Sequence, residues 1–306
     1  MISDEKILVS GVTGNVGFPL AAALAVDNEV WGMGRFSDPD ARRRVEKAGV
    51  RPVVADLGSD DLSAVPDDVT YVLHLGYHRG GANDFDEAIR VNGEGTGLLL
   101  AHCRRAKAAL VMSSNVIYPP HDDPWYAHRE TDAIGGMIPF WSPTSPTAKI
   151  AQESIARYCA RQLGRRVVIA RLNAVYGPNG SYLPTSNMDA VVAGKPVSAR
   201  WNPHPHAPIH IDDIVGQVEA LLDAASSPAL IVNWAGDEQV TIQQWSQYAA
   251  DYCGGTADVV VNAVPGTTRN NLADTTRRMS ITGPCTRSFE PAFRKIYEGR
   301  YGPAMS

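Results

Sequence analysis

The stretch "KILVSGVTGNVGFPL", residues 6–20, decides the fold of this chain. Its first part is a short apolar run with β-branched residues that ends at Gly11, a pattern that predicts a buried parallel strand. Good helix formers at helical spacing follow in residues 15–26. A strand, a glycine-rich turn and a helix in direct succession predict the first unit of an α/β sheet.

Three glycines in this turn, Gly11, Gly14 and Gly17, have the spacing G-x-x-G-x-x-G. The first permits a tight turn, the second lets the backbone approach a pyrophosphate, and the third permits close packing of the helix. The N-terminus of that helix presents free N–H groups and a positive dipole end to the phosphates. We therefore predict a dinucleotide-binding loop with the following contact residues: Gly11, Thr13, Gly14, Asn15, Val16 and Gly17.

Strands and helices continue to alternate after this unit. Further strands are predicted at residues 28–34, 50–57, 69–76, 108–114 and 165–172, with helices at 85–105 and around Lys149. This alternation predicts a doubly wound parallel sheet (Rossmann) with its ligand crevice at the carboxyl ends of the strands. We place a dinucleotide-binding domain at residues 1–172. Loops rich in Pro, Gly and aromatics then predict a smaller, partly helical substrate domain at residues 173–306, whose chain can return to the sheet.

Composition narrows the class of partner. The 306 residues carry a formal net charge of −5, which argues against nucleic acid, and the basic run at 41–44 is expected on a solvated helix face. The N-terminus lacks the pattern of a secretory signal, and no apolar stretch approaches the roughly 20 residues of a membrane helix. Four cysteines form no C-x-x-C pair. We expect a cytoplasmic protein with reduced thiols that acts on a small molecule, without a nucleic-acid or membrane partner.

The end of the second predicted strand bears on the choice of cofactor. An acid there would bind the ribose hydroxyls of NAD, whereas this chain has Arg35. An arginine can pair bidentately with a 2′-phosphate, so the sequence favours NADP. NAD stays open because Arg35 can also be a plain surface residue. Asp56, after the third strand, offers a carboxylate to an adenine amino group or simply closes a turn.

These residues are part of a larger set of sequence features. In these features the chain resembles the extended short-chain dehydrogenases/reductases, the NAD-dependent epimerase/dehydratase group. The matching features run in the family's order to about residue 225. They are the glycine turn, Asp56-Leu57, His74-Leu75-Gly76, "VNGEGT" (91–96), "SSNVIY" (113–118), Lys149, "RLNAVYGP" (171–178) and "IHIDD" (209–213). The resemblance implies that Leu57, Leu75 and Gly76 also line the cofactor site. It further implies a homodimer that includes the Lys149 helix.

The resemblance assigns catalytic residues with one exception. Ser114 matches the serine that orients the substrate oxygen, and Lys149 matches the lysine that holds the nicotinamide ribose. Asn92 matches an asparagine near the site, or marks a helix kink. The family's tyrosine is absent, because the residue four before the lysine is Ser145. A serine hydroxyl is a far weaker acid than a phenol, whose reference pKa is about 10, so Ser145 does not simply replace it.

Three outcomes of this loss stay open. Another side chain donates the proton; Tyr126 is favoured, and the other candidates are Tyr118, His128 and His78. Alternatively, a water held by Ser114, Ser145 and Thr147 relays it. In the third outcome redox chemistry is lost, and the dinucleotide is structural or sensed.

The predicted substrate loops are aromatic. Nucleotide-sugar members carry an arginine four residues before the histidine of the HIDD motif, and this chain has His206 there. Without that anion clamp, an apolar or aromatic substrate is expected. Its predicted contacts are Ser114, Trp125, Tyr182, Trp201 and His206, with Trp141 in the same loop set. No metal is expected, since His204, His206 and His210 lack the spacing of a zinc site.

The leading hypothesis is an NAD(P)-dependent oxidoreductase that acts on a carbonyl or alcohol with a non-standard proton donor. Two alternatives stay open: a non-redox lyase, isomerase or cyclase on the same fold, and a dinucleotide-binding regulator without turnover.

Overall fold

A computed structural model describes residues 2–79, 83–136, 138–139, 142–264 and 267–305. The strands are β1 (Lys6–Ser10), β2 (Glu29–Gly34), β3 (Arg51–Val54), β4 (Tyr71–His74), β5 (Ala108–Ser114), β6 (Arg166–Leu172), β7 (Val175–Tyr176), β8 (Val197–Ala199), β9 (Pro205–His206), β10 (Ile209–His210), β11 (Leu230–Trp234), β12 (Val240–Thr241) and β13 (Val259–Val261). The helices are α1 (Gly17–Leu24), α2 (Pro39–Lys47), α3 (Phe85–Ile89), α4 (Gly95–His102), α5 (Ser145–Gln162), α6 (Leu183–Val192), α7 (Ile211–Ala224), α8 (Ile242–Cys253), α9 (Thr276–Thr282) and α10 (Phe289–Tyr301). No helix among these residues is long and apolar enough to cross a membrane.

The central sheet has seven strands in the order β11-β6-β5-β4-β1-β2-β3. The strand β1 pairs in parallel with both β2 and β4, so the order reverses beside the first strand of the chain. The predicted α/β, doubly wound sheet is confirmed. Its core fills the space between the sheet and the helices α4 and α5, through side chains such as Leu8, Leu99, Val111 and Ile169.

The chain divides into two compact units. The first contains residues 1–117, 138–171 and 215–232, and the second contains 118–137, 172–214 and 233–306. The predicted division after residue 172 lies beside the change of unit between Arg171 and Leu172. The segment 215–232 returns to the first unit, where its end forms part of β11.

The second unit has its own apolar core. Helices α6, α8 and α10 enclose Trp245, Phe289 and Phe293, which are fully buried. The helix α8 begins with a capping box in which Thr241 and Gln244 satisfy each other's backbone N–H groups, and it ends at Gly254 in the left-handed conformation. Thr241 and Gln244 therefore set where α8 begins, and Gly254 sets where it ends.

Candidate functional site

The glycine turn between β1 and α1 accepts only glycine at two of its positions. Gly11 has φ +70°, and a Cβ there would lie 2.8 Å from the Cα of Gly76. A Cβ on Gly17 would lie 2.3 Å from the carbonyl oxygen of Gly11. In both cases the added Cβ would meet backbone atoms, which cannot move aside as a flexible side chain can. The turn therefore packs tightly against the segment that follows β4.

A cleft of about 150 Å³ opens beside this turn at the carboxyl ends of the strands. The predicted cofactor residues that line it are Gly11, Thr13, Arg35, Asp56, Leu57 and Gly76. Asn15 and Val16 lie in the same turn, and Leu75 is buried directly before Gly76. The glycine turn and the residues that line the cleft suit a dinucleotide, and the Arg35 side chain in that lining is exposed.

The basic run of α2 is exposed, as the sequence predicts. Arg42 pairs with Glu46, and Arg43 pairs with Asp40. Arg44 instead reaches the glycine turn, where it donates to the carbonyl of Thr13 at 3.1 Å and covers the ring of Phe18 at 4.3 Å. This contact ties α2 to the glycine turn.

A buried polar network connects the cleft to α5. His74, at the end of β4, lies 2.7 Å from the hydroxyl of Ser10 through Nδ1 and 2.8 Å from that of Thr96 through Nε2. Gln152 donates toward the same Nε2 at 3.1 Å and accepts from Lys149 Nζ at 2.9 Å. Burial, with a smaller contribution from Lys149, lowers the pKa of His74 to about 3, so the ring is neutral.

Lys149 is the only buried lysine among the residues that the structure describes. Its Nζ donates to the carbonyl of Met112 at 2.7 Å. Burial lowers its pKa to about 7, and the carboxylate of Glu153 on the next turn of α5 opposes that shift. A lysine that changes charge near neutral pH can respond to a ligand or to a proton transfer.

Ser145 begins α5, and its hydroxyl is in contact with a phenol. Its Oγ lies 2.6 Å from the hydroxyl of Tyr77 and 2.5 Å from that of Ser142. The ring centroid of Tyr77 lies 4.7 Å from Lys149 Nζ. Tyr77 is not among the sequence candidates, although it directly follows β4, and the carboxyl ends of parallel strands line the crevice of such a sheet.

Ser114 and Asn92 lie on elements that contribute to this network. Ser114 ends β5, two residues after the carbonyl that Lys149 binds, and its Oγ accepts from the N–H of Val116 at 3.3 Å. Asn92 is fully buried in a π-helical turn, Arg90–Glu94, that interrupts the predicted helix of residues 85–105. Its side chain bonds both backbone groups of His78 at 2.8 Å, which fixes the chain just after Tyr77.

The other sequence candidates for the proton donor lie in the second unit, apart from His78. Tyr126 donates its hydroxyl to the carboxylate of Asp132 at 2.9 Å, and this hydrogen bond raises its pKa. Tyr118 is buried and donates to Asn233 at 2.6 Å. His128 stacks on Tyr118 with 4.7 Å between ring centroids, and burial lowers its pKa.

The predicted substrate residues of the second unit differ in exposure. Trp125 is 45% exposed, and Trp201 is covered by Arg269, 4.9 Å from its ring centroid. Tyr182 is buried at the start of α6, and burial raises its pKa to about 12. His206 is buried between His204 and Trp245, with centroid distances of 4.8 and 5.3 Å. Trp141 lies outside the described residues.

Burial lowers the pKa of both His204 and His206, so both rings are neutral. Over the residues that the structure describes, no three His, Cys, Asp or Glu side chains are grouped to hold a metal ion. All four cysteines are free thiols.

The fold and the cleft together define a Rossmann-type protein of the short-chain dehydrogenase/reductase architecture. Residues 7–199 match the model of the NAD-dependent epimerase/dehydratase family, and the chain belongs to this family. The resemblance stated from the sequence is thereby confirmed.

Known relatives extend the comparison. The chain is 27% identical over 261 residues to the 3-diazoavenalumate denitrifying reductase of a Streptomyces species, covering 81% of this chain and 82% of the relative. It is similar in structure to UDP-glucuronic acid 4-epimerase of Bacillus cereus, solved with NAD. The TM-score is 0.82 at 21% sequence identity, and the match covers 96% of this chain and 98% of that one. It is also similar in structure to dTDP-glucose 4,6-dehydratase of Bacillus anthracis, solved with NAD. The TM-score is 0.80 at 15% sequence identity, and the match covers 97% of each chain.

Proposed function

We propose that this chain is an NAD(P)-dependent oxidoreductase that acts on a carbonyl or alcohol of a small apolar or aromatic substrate. The observation that carries the proposal is the buried Lys149, linked through Gln152 and His74 to the glycine-turn cleft. Family membership supports it. A protein that only bound the dinucleotide would have no need of a lysine whose pKa is lowered to about 7 beside the cleft.

The residues of the site divide the work. A bound dinucleotide supplies or accepts a hydride at C4 of its nicotinamide. Lys149 holds the nicotinamide ribose, and its Nζ is kept in place by the hydrogen bonds that it donates to the carbonyl oxygen of Met112 and the side-chain oxygen of Gln152. Ser114 orients the substrate oxygen from the end of β5, which lies beside β4 in the sheet. The buried turn around Asn92 keeps the segment after β4 in place.

The substrate class follows from the second unit. His206 stands where a nucleotide-sugar enzyme would carry an arginine, and burial keeps its ring neutral, so it supplies no positive charge for a diphosphate. Trp125 and the half-buried Trp201 supply aromatic surface in the same unit, whereas the predicted contact Tyr182 is buried. These residues support an apolar or aromatic substrate rather than a sugar nucleotide.

A second candidate function is reductive loss of dinitrogen from an aromatic diazo compound. The Streptomyces relative, which is named as a denitrifying reductase of 3-diazoavenalumate, supports it. In that reaction a hydride forms a C–H bond at the ring carbon, the C–N bond breaks, and dinitrogen leaves with the bonding pair. The step needs no protonation of an oxygen, so it tolerates Ser145 in place of a tyrosine.

The first experiment is a fluorescence titration with NADH and NADPH. It is followed by turnover assays with a panel of aryl aldehydes, aryl ketones and an arenediazonium salt. We expect micromolar cofactor binding and consumption of the reduced cofactor with one class of the panel. Product formation without net change in the cofactor would instead favour a lyase or isomerase. Failure of both cofactors to bind at millimolar concentration would refute the proposal.

The preference for NADP rests on Arg35 and is tested by Arg35→Ser. Loss of a charge-assisted hydrogen bond of about 1.5–3 kcal/mol is expected to weaken NADPH binding by roughly 10- to 100-fold. Binding of NADH should stay unchanged, since it has no 2′-phosphate. Arg42→Ser is the matched control, because this exposed arginine pairs with Glu46 on α2. Equal effects of Arg35→Ser on both cofactors would contradict the preference.

A homodimer and a cytoplasmic location stay predictions. Sedimentation of the purified protein tests the first, and cell fractionation tests the second.

A further inference from the structure

We propose that Tyr77 donates and accepts the catalytic proton in place of the tyrosine that the family carries at position 145. The inference rests on the proposed carbonyl or alcohol chemistry. It assigns the missing acid to a residue on a different element, the segment that follows β4.

The position of Tyr77 is the first argument. It follows Gly76, which packs against the glycine turn, and it lines the cofactor cleft itself. Its hydroxyl lies 2.6 Å from the Oγ of Ser145, the residue at the family's tyrosine position. A phenol is therefore in contact with the site that lost one, although it enters from another strand.

The electrostatic setting is the second argument. Lys149 Nζ lies 4.7 Å from the ring centroid of Tyr77, within the range of a cation–π contact. A cation over the face of an aromatic ring is attracted to it, so this contact holds the phenol of Tyr77 beside the lysine. A lysine and a phenol are thus neighbours beside the cleft, and residue 77 supplies the phenol.

A chain of hydroxyls is the third argument. Tyr77, Ser145 and Ser142 follow one another at 2.6 and 2.5 Å, and all three are only partly buried. In reduction, the carbonyl carbon gains a hydride from the reduced nicotinamide, and the carbonyl oxygen takes the proton of Tyr77 to form an alcohol. The phenolate then regains a proton from solvent through Ser145 and Ser142. Ser145 acts as a positioning residue in this scheme.

Other tyrosines lack this combination. Tyr126 and Tyr118 donate their hydroxyls to Asp132 and Asn233. In the described part of the first unit, Tyr158 is 61% exposed on α5, and Tyr71 lies against Lys107. Only Tyr77, among the described tyrosines of that unit, is in contact with both Ser145 and Lys149.

The activity test compares Tyr77→Phe with Tyr126→Phe on the member of the carbonyl panel that the wild type reduces fastest. Loss of an acid/base catalyst predicts that kcat falls by about 10²–10⁴-fold in Tyr77→Phe, with unchanged affinity for NADPH. The exposed Tyr158→Phe is the matched control and should keep full activity. Full activity in Tyr77→Phe overturns the proposal, and so does a loss confined to Tyr126→Phe.

A rescue separates the acid from a packing role. Ser145→Tyr alone should not gain activity, because Tyr77 already fills the space beside residue 145. The double variant Tyr77→Ala/Ser145→Tyr places a phenol at the family's position and should recover activity that Tyr77→Ala loses. A double variant as inactive as Tyr77→Ala, while folded and able to bind cofactor, counts against the role.

A spectroscopic readout is independent of turnover. In protein labelled with ¹³C on the tyrosine rings, the signal of Tyr77 is the one missing from Tyr77→Phe. We expect it to shift on addition of NADP⁺ and in Lys149→Met, whereas the signal of Tyr158 stays in place. The inference is overturned if the Tyr77 signal shifts neither on addition of NADP⁺ nor in Lys149→Met. If the wild type reduces no member of the panel, the proposed function fails, and this spectrum still decides the placement of Tyr77.

Discussion

Arg171→Met is expected to lower the free energy of unfolding by about 3–5 kcal/mol, the usual cost of removing one partner of a buried ion pair. Arg171 on β6 and Glu153 on α5 are each only 2% exposed at their side chains. The guanidinium donates from Nε to Oε1 at 2.9 Å and from Nη2 to Oε2 at 2.8 Å. The substitution leaves the carboxylate buried without this bidentate partner, and urea unfolding followed by circular dichroism measures the loss.

The double variant Arg171→Met/Glu153→Met separates the ion pair from the packing. Replacing both charges by apolar groups of similar volume removes the desolvation cost together with the attraction, so most of the stability should return. Arg42→Met gives the surface comparison and should cost about 1 kcal/mol or less, because the Arg42–Glu46 pair is exposed. A cost for Arg171→Met as small as that of Arg42→Met would contradict the expectation.

The architecture could be predicted from the sequence because local signals repeat along the chain. Gly11 and Gly17 permit only one kind of turn, and the strand and helix on either side of them have different hydrophobic periods. Each later βαβ unit then follows the same handedness, which leaves few topologies to consider. Six of the seven strands of the sheet lie where the sequence predicts them, whereas β11 and the order of the strands are findings of the structure.

Parts of the candidate site could not be predicted this way, because they depend on where side chains from distant elements meet. Tyr77 and Ser145 are 68 residues apart, and no periodicity reports that their hydroxyls touch. From the sequence, the candidates for the proton donor included the adjacent His78 and favoured the more distant Tyr126. At Asn92 the sequence offered a helix kink as one interpretation, but it did not report that a π-helical turn there buries the amide against the backbone of His78. In both cases the deciding fact is three-dimensional packing.

Lys149 gives the second large effect, a dependence of stability on pH. Its pKa is about 7 in the folded protein, against the usual 10.5 of a lysine, and burial is the main cause. Between these two values the unfolded chain binds more protons than the folded one, so stability rises with pH across that window. The slope for one proton is about 1.4 kcal/mol per pH unit. From pH 7 to pH 9 the free energy of unfolding should therefore gain about 2–3 kcal/mol from this residue.

Lys149→Met should remove that gain, and the difference between wild type and variant, measured by urea unfolding from pH 7 to pH 9, isolates it from the other titrating groups. The exposed Lys195→Met is the matched control and should keep the wild-type slope. Lys149→Met should also bind the dinucleotide more weakly and lose turnover, because it lacks the ammonium that holds the ribose. A wild-type slope in Lys149→Met would mean that the lysine is as well solvated in the folded protein as in the unfolded chain. The buried network of Gln152 and His74 would then not isolate the ammonium of Lys149 from water.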